Sequence, residues 1–218
     1  MLHIGILAST KGTDMQAVID AINSKKLNAV ISVVISDKKD AYALERAKKH
    51  NIDAVFVDSK GKQFLIEAKS ADIKDKETLR EHFDKYISKI LNEHHVDLIL
   101  LIGYMRFLSP WFVNRYKNRI MNIHPSLLPK YARGMDIDVH AEVLRNKEKT
   151  TGATLHFVDE SVDAGPIIMQ KEVPIDENET VDSLKAKVQK AEQEIIVKAI
   201  DLYNRGKINV KGGKVIIK

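Results

Sequence analysis

Short apolar runs alternate with longer amphipathic ones along the first half of the chain, and this alternation predicts its elements. Residues 3–8 (H-I-G-I-L-A) read as a strand, and after S-T-K-G-T-D an amphipathic run carries Met15, Val18, Ile19 and Ile22 on one helical face. Residues 29–36 are continuously apolar and rich in β-branched side chains, the pattern of a strand covered on both faces of a parallel sheet. A helix is expected over 40–50 and a third strand over 54–57. Residues 59–76 are charged and weakly periodic. Leu79, Phe83, Tyr86, Ile87, Ile90 and Leu91 then define a long helix over 77–94. The most apolar segment, 97–102, is the fourth strand, and Pro110 opens a short helix. Repeated strand–helix alternation predicts an α/β fold with an open, mostly parallel, Rossmann-like sheet and helices on both faces.

The second half changes rhythm. Residues 121–129 (M-N-I-H-P-S-L-L-P) end a strand at a proline, and 139–145 look helical. Residues 153–158 (A-T-L-H-F-V) and 167–173 are strands joined by the turn-rich D-E-S-V-D-A-G-P, which predicts a hairpin and an antiparallel C-terminal extension of the sheet. A long helix over 180–203 follows, and 208–210 should pair with 215–217. Without a repeat, low-complexity tract or linker, the chain is expected to form a single domain over 1–218.

Composition narrows the class. The 218 residues can build a sizeable core, and 44% hydrophobic with 30% charged residues reads as soluble and globular. No apolar run approaches the roughly 18 residues of a membrane span, and no secretion-signal pattern opens the sequence. With no cysteine there is no disulfide framework, thiolate metal site or thiol nucleophile; a cytoplasmic protein is the plain reading. The formal charge of +5 does not point to nucleic acid, because basic residues are interleaved with acidic ones, as in Lys185, Lys187, Lys190, Glu192 and Glu194. A positive field does favour small anionic ligands.

Candidate chemistry centres on Asn122 and His124. Two apart on an extended segment, they point the same way, with Ile123 opposite. An amide and an imidazole can both donate to an oxygen that gains negative charge as a carbonyl is attacked. Taken alone, Asn-x-His is more often an ordinary strand-end pair. Residues 9–14 connect a strand to a helix through a glycine-containing turn, which aims free N–H groups at an anion. Thr13 or Asp14 as a simple N-cap explains this stretch equally well, and neither a triphosphate-loop nor a dinucleotide fingerprint is present. Because ligands bind beyond the carboxyl ends of strands in open sheets, the topology predicts that 9–14, 103–108 and 122–128 serve one crevice. Asp136, Asp138 and His140 invite a metal reading, but nothing supplies a further ligand and no metal is expected.

N-I-H-P-S-L-L-P-K-Y followed by T-G-A-T-L-H-F-V-D-E-S-V-D-A-G-P-I-I-M-Q resembles the formyltransferases that use 10-formyltetrahydrofolate, over nearly the whole chain. Within them, the branch acting on phosphoribosylglycinamide in purine synthesis is the nearest. The resemblance implies formyl transfer from 10-formyltetrahydrofolate, as donor cosubstrate, to the glycinamide amine. It puts the catalytic Asn, His and Asp on Asn122, His124 and Asp163, the last a turn aspartate that composition alone would leave unremarked. Asn122 and His124 would stabilise the tetrahedral oxyanion, while Asp163 would raise the histidine's basicity or relay the amine's proton through water.

The same resemblance implies that Lys11, Gly12, Thr13 and Asp14 hold the substrate phosphate, although Thr10, Lys11 and Asp14 replace the commoner Gly, Asn and Asn. Asp14 would oppose a phosphate unless its carboxylate turned to cap the helix. Pro125 and Glu192 would contact the ribonucleotide. Met105, Arg106, Phe107 and Leu108 would wall the folate pterin, with His140 and Lys76 as further folate contacts. Residues 1–105 would form a phosphate-binding half and 106–218 a folate-binding and catalytic half. The loop 132–140 departs from the usual order and could be a mobile lid. The partners implied are the two small molecules, with no nucleic acid or membrane, in a monomer or homodimer. A formyltransferase for another amine, such as an amino-sugar nucleotide, and a non-catalytic folate- or phosphate-binding module are the competing readings.

Overall fold

The computed structural model describes residues 1–61, 66, 69–70, 73, 75–132 and 138–218. Its strands are β1 (Leu2–Leu7), β2 (Ala29–Ser36), β3 (Ala54–Phe56), β4 (Leu98–Leu101), β5 (Ile120–His124), β6 (Thr150–Phe157), β7 (Ile167–Pro174), β8 (Ile208–Lys211) and β9 (Lys214–Ile217). Among the described residues the helices are α1 (Thr13–Asn23), α2 (Tyr42–Lys49), α3 (Lys76–Glu93), α4 (Pro110–Arg115), α5 (Val139–Arg145) and α6 (Val181–Asn204). The main sheet has seven strands in the order β3-β2-β1-β4-β5-β6-β7, and β8 and β9 form a separate two-stranded sheet. This is the mostly parallel sheet with an antiparallel extension that the alternating pattern predicts.

Two compact units make up the chain. The first comprises Met1–Thr13 and Ala29–Ile120. Here β1 pairs in parallel with β2 and β4, and β2 with β3. Ile4, Ile6, Leu7, Val33, Val34, Ile35 and Leu98–Leu101 are buried on both faces, which is why these strands read as unbroken apolar runs. Asp75 caps α3 by accepting from the backbone N–H groups of Glu77 and Thr78, and Ser109 caps α4, with Pro110 opening that helix.

The second unit comprises Asp14–Asn28 and Met121–Lys218. In the antiparallel array β5-β6-β7, strands β6 and β7 pack against α6. Leu184, Val188, Ile195, Ile196 and Ile200 recur on the buried stripe of that helix at three- and four-residue spacing. Thr180 and Ser183 satisfy each other's backbone N–H groups in a capping box that starts it. Strand β6 begins at Thr150, three residues before the expected 153. The T-T-G start lacks an apolar signature, yet it pairs with Val173 and Pro174 across the ladder. Gly152 is required there, since a Cβ would lie 2.1 Å from the Lys171 carbonyl oxygen.

Candidate active site

In the second unit, β5 and β6 are in a register that sets Asn122 opposite His156 and His124 opposite Thr154. All four positions therefore share one face. His124 is buried, and its Nε2 lies 3.5 Å from Asp163 Oδ2. Asp163 sits in the connection between β6 and β7 with φ +53, a left-handed backbone that aspartate tolerates better than most residues. Two positions later, a Cβ on Gly165 would meet the Phe157 carbonyl oxygen at 1.9 Å. That close approach helps hold the turn carrying Asp163.

The hydrogen bonds fix the protons. Ser126 Oγ donates to the Lys130 carbonyl at 2.9 Å, so its only proton is committed, and His124 Nδ1 at 3.1 Å must donate to it. Neutral His124 would then turn a lone pair from Nε2 toward the Asp163 carboxylate, whereas the imidazolium would donate to it. Burial pulls the His124 pKa down, the Asp163 charge raises it, and neighbouring His156 lowers it again. Burial is the largest of these influences, and the net shift is downward.

His156 was not singled out from the sequence. Its Nδ1 lies 2.9 Å from the Phe157 carbonyl oxygen and must donate to it; Nε2 therefore accepts from Asn122 Nδ2 at 3.1 Å. The carboxamide of Asn122 is thereby oriented, with its nitrogen toward His156. Burial depresses the His156 pKa, as an acceptor role requires. Its Nε2 is also 3.8 Å from Asp163 Oδ1. The available signal was the alternation of Thr154 and His156 within A-T-L-H-F, two polar side chains on one strand face.

Thr154, fully buried, donates to the Ser126 carbonyl at 2.6 Å and accepts from Leu128 N at 3.1 Å and Gln170 Nε2 at 2.8 Å. It ties down the segment that begins at half-buried Pro125 immediately after His124.

Asp14 and Glu192 also belong to the second unit, and neither lies where the sequence pattern alone would put it. Asp14 sits inside the first turn of α1 rather than outside it as a cap, with 6% of its surface exposed. Glu192 on α6 is 8% exposed, not solvated decoration. Burial raises the Asp14 pKa to about 6, against hydrogen bonds from its own backbone and from Gln193. Glu192 is pushed to about 8 by burial and by the Asp14 charge, with Lys185 opposing. His140 is buried, with no hydrogen-bond partner for Nδ1 among the described residues, and its pKa is lowered by burial. Asp138 caps α5 by accepting from His140 N and Ala141 N. Asp136 and most of the 132–140 loop fall outside the described residues. Among those described, no cluster of three metal-ligating side chains occurs.

The other candidates are in the first unit. Ser9 donates to Asp37 Oδ1 at 2.6 Å and accepts from Met105 N at 2.9 Å, joining the ends of β1, β2 and β4. Gly12 has φ +60 and Lys11 is exposed. Thr10 Oγ1 would be 2.2 Å from a Cβ on Gly103, whose φ is +61. Met105 and Phe107 are each 46% exposed rather than core, and Leu108 is half-buried. The Arg106 guanidinium stacks 4.1 Å from the centroid of Phe83 and donates to Ser59. Lys76, Leu79, Arg80, Arg106 and Phe107 line an open depression of about 240 Å³.

Residues 2–200 match the formyl transferase family, to which the chain belongs. It is 36% identical over 212 residues to the phosphoribosylglycinamide formyltransferase of Haemophilus influenzae, covering 97% of this chain and 91% of that one. The glycinamide ribonucleotide transformylase 1 structure of Symbiobacterium toebii superposes with a TM-score of 0.86 at 35% identity, covering 100% of this chain and 94% of its own. A trifunctional purine biosynthetic protein of Chironomus tentans is 39% identical over 210 residues, although these make up only 14% of that longer protein. Within the family, the likeness over nearly the whole length is thus to its phosphoribosylglycinamide formyltransferase branch.

Proposed function

We propose that this protein transfers the formyl group of 10-formyltetrahydrofolate to the amine of phosphoribosylglycinamide, yielding the formylated ribonucleotide and tetrahydrofolate. The observation that supports this most is the convergence of Asn122, His124 and Asp163 on one side of β5, with the carboxamide oriented by His156. A donor amide and an imidazolium side by side suit an oxygen that becomes anionic.

As the amine lone pair adds to the formyl carbon, the carbonyl electrons move to oxygen, and Asn122 and His124 donate hydrogen bonds to it. Asp163 keeps His124 in its donor form and accepts, through water, the proton that the amine sheds. Collapse breaks the bond to the folate nitrogen, which leaves carrying that proton, returned from Asp163 through the same water. Thr154 and Ser126 hold His124 and the following segment in place.

Lys11, Gly12, Thr13 and Asp14 are assigned to the phosphate, and Pro125 and Glu192 to the remainder of the ribonucleotide. Exposed Met105 and Phe107, with Arg106 and Leu108, fit a flat apolar ring. The Lys76, Arg80 and Arg106 cations fit the carboxylate tail of a folate. His140 is retained as a folate contact. In this reading the phosphate-binding role falls within 1–105 and the folate and catalytic roles within 106–218 of one formyltransferase domain, in a cytoplasmic protein.

The test is turnover of 10-formyltetrahydrofolate with and without phosphoribosylglycinamide. Product formation should require the amine, and His124→Ala should lower kcat by about 10²–10³. Amine-independent turnover, or an unaffected His124→Ala, would overturn the assignment.

A further inference from the structure

Asp14 and Glu192 present a chemical problem that the formyl-transfer scheme leaves unused. Both carboxyls are at least nine-tenths buried, on α1 and α6 of the same unit, and neither forms an ion pair among the described residues. Asp14 receives a hydrogen bond from Gln193, the residue after Glu192, but its Oδ1 is buried without a partner. The charged groups acting on the pair are few: Asp14 faces Glu192, and Lys185 on the same helix as Glu192 is the nearby cation. Lys185 is exposed and also acts on His140 of α5, so its charge is shared and solvent-screened. Two buried carboxylates that act on each other, bridged by the Gln193 hydrogen bond to Asp14 and without a committed cation, cannot both ionise cheaply.

We propose that Asp14 and Glu192 share one proton, and that the acceptor ribonucleotide binds the singly protonated pair, which makes its affinity proton-linked. This rests on the formyl-transfer reading, in which both residues meet the ribonucleotide. A doubly ionised pair would repel the phosphate dianion, whereas the singly protonated pair removes one charge and supplies an O–H donor. Asparagine, the commoner residue of the family at position 14, would supply a permanent neutral donor; aspartate replaces it with a titratable one. Asp14 is thus a specificity-determining position whose effect depends on pH.

The sign follows from the raised pKa values: the shared proton is held at neutral pH and lost as pH rises through about 8. From pH 7 to about 9 the protonated fraction of such a group falls about tenfold, and affinity for the ribonucleotide should fall by the same factor. In Asp14→Asn the Asp14 charge no longer raises Glu192, so the ratio of Kd values at the two pH values should shrink relative to the natural chain. Titration of the substrate's own amine and phosphate cancels in that comparison.

The experiment is calorimetric titration of the intact protein with phosphoribosylglycinamide across this range, in buffers of different ionisation enthalpy, for the natural chain, Asp14→Asn and Glu192→Gln. Carbon-13 carboxyl chemical shifts of the ligand-free protein are recorded alongside. The expected result is more proton uptake on binding at alkaline pH in the natural chain than in Asp14→Asn, with a carboxyl signal titrating well above the ordinary range that moves in both variants. Ordinary titration of both carboxyls, or equal pH ratios in the natural chain and Asp14→Asn, overturns the proposal. Should the carboxyls titrate as expected while the ribonucleotide fails to bind at any pH, the functional reading falls, and the coupling falls with it.

Discussion

Replacing Thr154 with valine keeps the shape of the side chain and removes one hydroxyl. That hydroxyl is fully buried and makes three hydrogen bonds: to the Ser126 carbonyl, from Leu128 N and from Gln170 Nε2. Gln170 keeps its second bond to the Leu128 carbonyl at 3.0 Å, so its loss is partial. Ser126 O and Leu128 N are left as orphaned backbone groups in an apolar setting, each costing about 1–3 kcal/mol. The expected destabilisation is about 3 kcal/mol, equivalent for a chain of this length to a Tm lower by roughly 6–12 °C. Circular dichroism melts of the natural protein, Thr154→Val and Thr154→Ser measure it. Serine keeps the hydroxyl and loses only a methyl, so it should cost about 1 kcal/mol. A valine variant within about 1 kcal/mol of the natural protein, or a serine variant as unstable as valine, would refute the idea that this hydroxyl holds the segment after His124.

Two further outcomes are expected. Gly165→Ala must push a Cβ into the Phe157 carbonyl at 1.9 Å, a contact with backbone that cannot swing away; it should destabilise by about 1–3 kcal/mol and lower kcat by displacing Asp163, whereas Gly206→Ala, with nothing within 4 Å, should leave kcat unchanged. Burial lowers the pKa values of His124, His140 and His156, so the unfolded chain binds protons that the folded chain refuses, and stability should fall as pH drops below about 6.5. His140→Gln should flatten that acid limb by up to about 1.4 kcal/mol per pH unit in urea midpoints measured across it. An acid limb as steep as that of the natural chain would contradict the depressed His140 pKa.

Features set by local period were legible in the sequence. The unbroken apolar runs of β1, β2 and β4 announced strands buried on both faces, and the stripe on α6 announced its packing. The two-residue spacing of Asn122 and His124 put both on one face because a strand admits no other arrangement. Features set by cross-strand register or by distant burial were not. His156 orients Asn122 only because β5 and β6 align those residues, and no local pattern specifies that alignment. The position of Asp14 at the start of an amphipathic run suggested a cap, yet the carboxyl is enclosed near Glu192, on a helix far along the chain. Met105 and Phe107 are apolar by type yet exposed, since the segment after β4 leaves the sheet there.

Ser9 has a consequence for anyone who would re-engineer this scaffold. Its hydroxyl donates to Asp37 and accepts from Met105 N, while its own N–H donates to the Gly103 carbonyl at 2.9 Å. The loop after β1, the end of β2 and the segment after β4 are consequently one exchangeable cassette, not three. A loop transplanted from a relative without a matching residue at position 37 would arrive with its keystone hydroxyl unengaged. Covariation experiments that randomise positions 9 and 37 together should therefore recover active chains that randomising either one alone cannot.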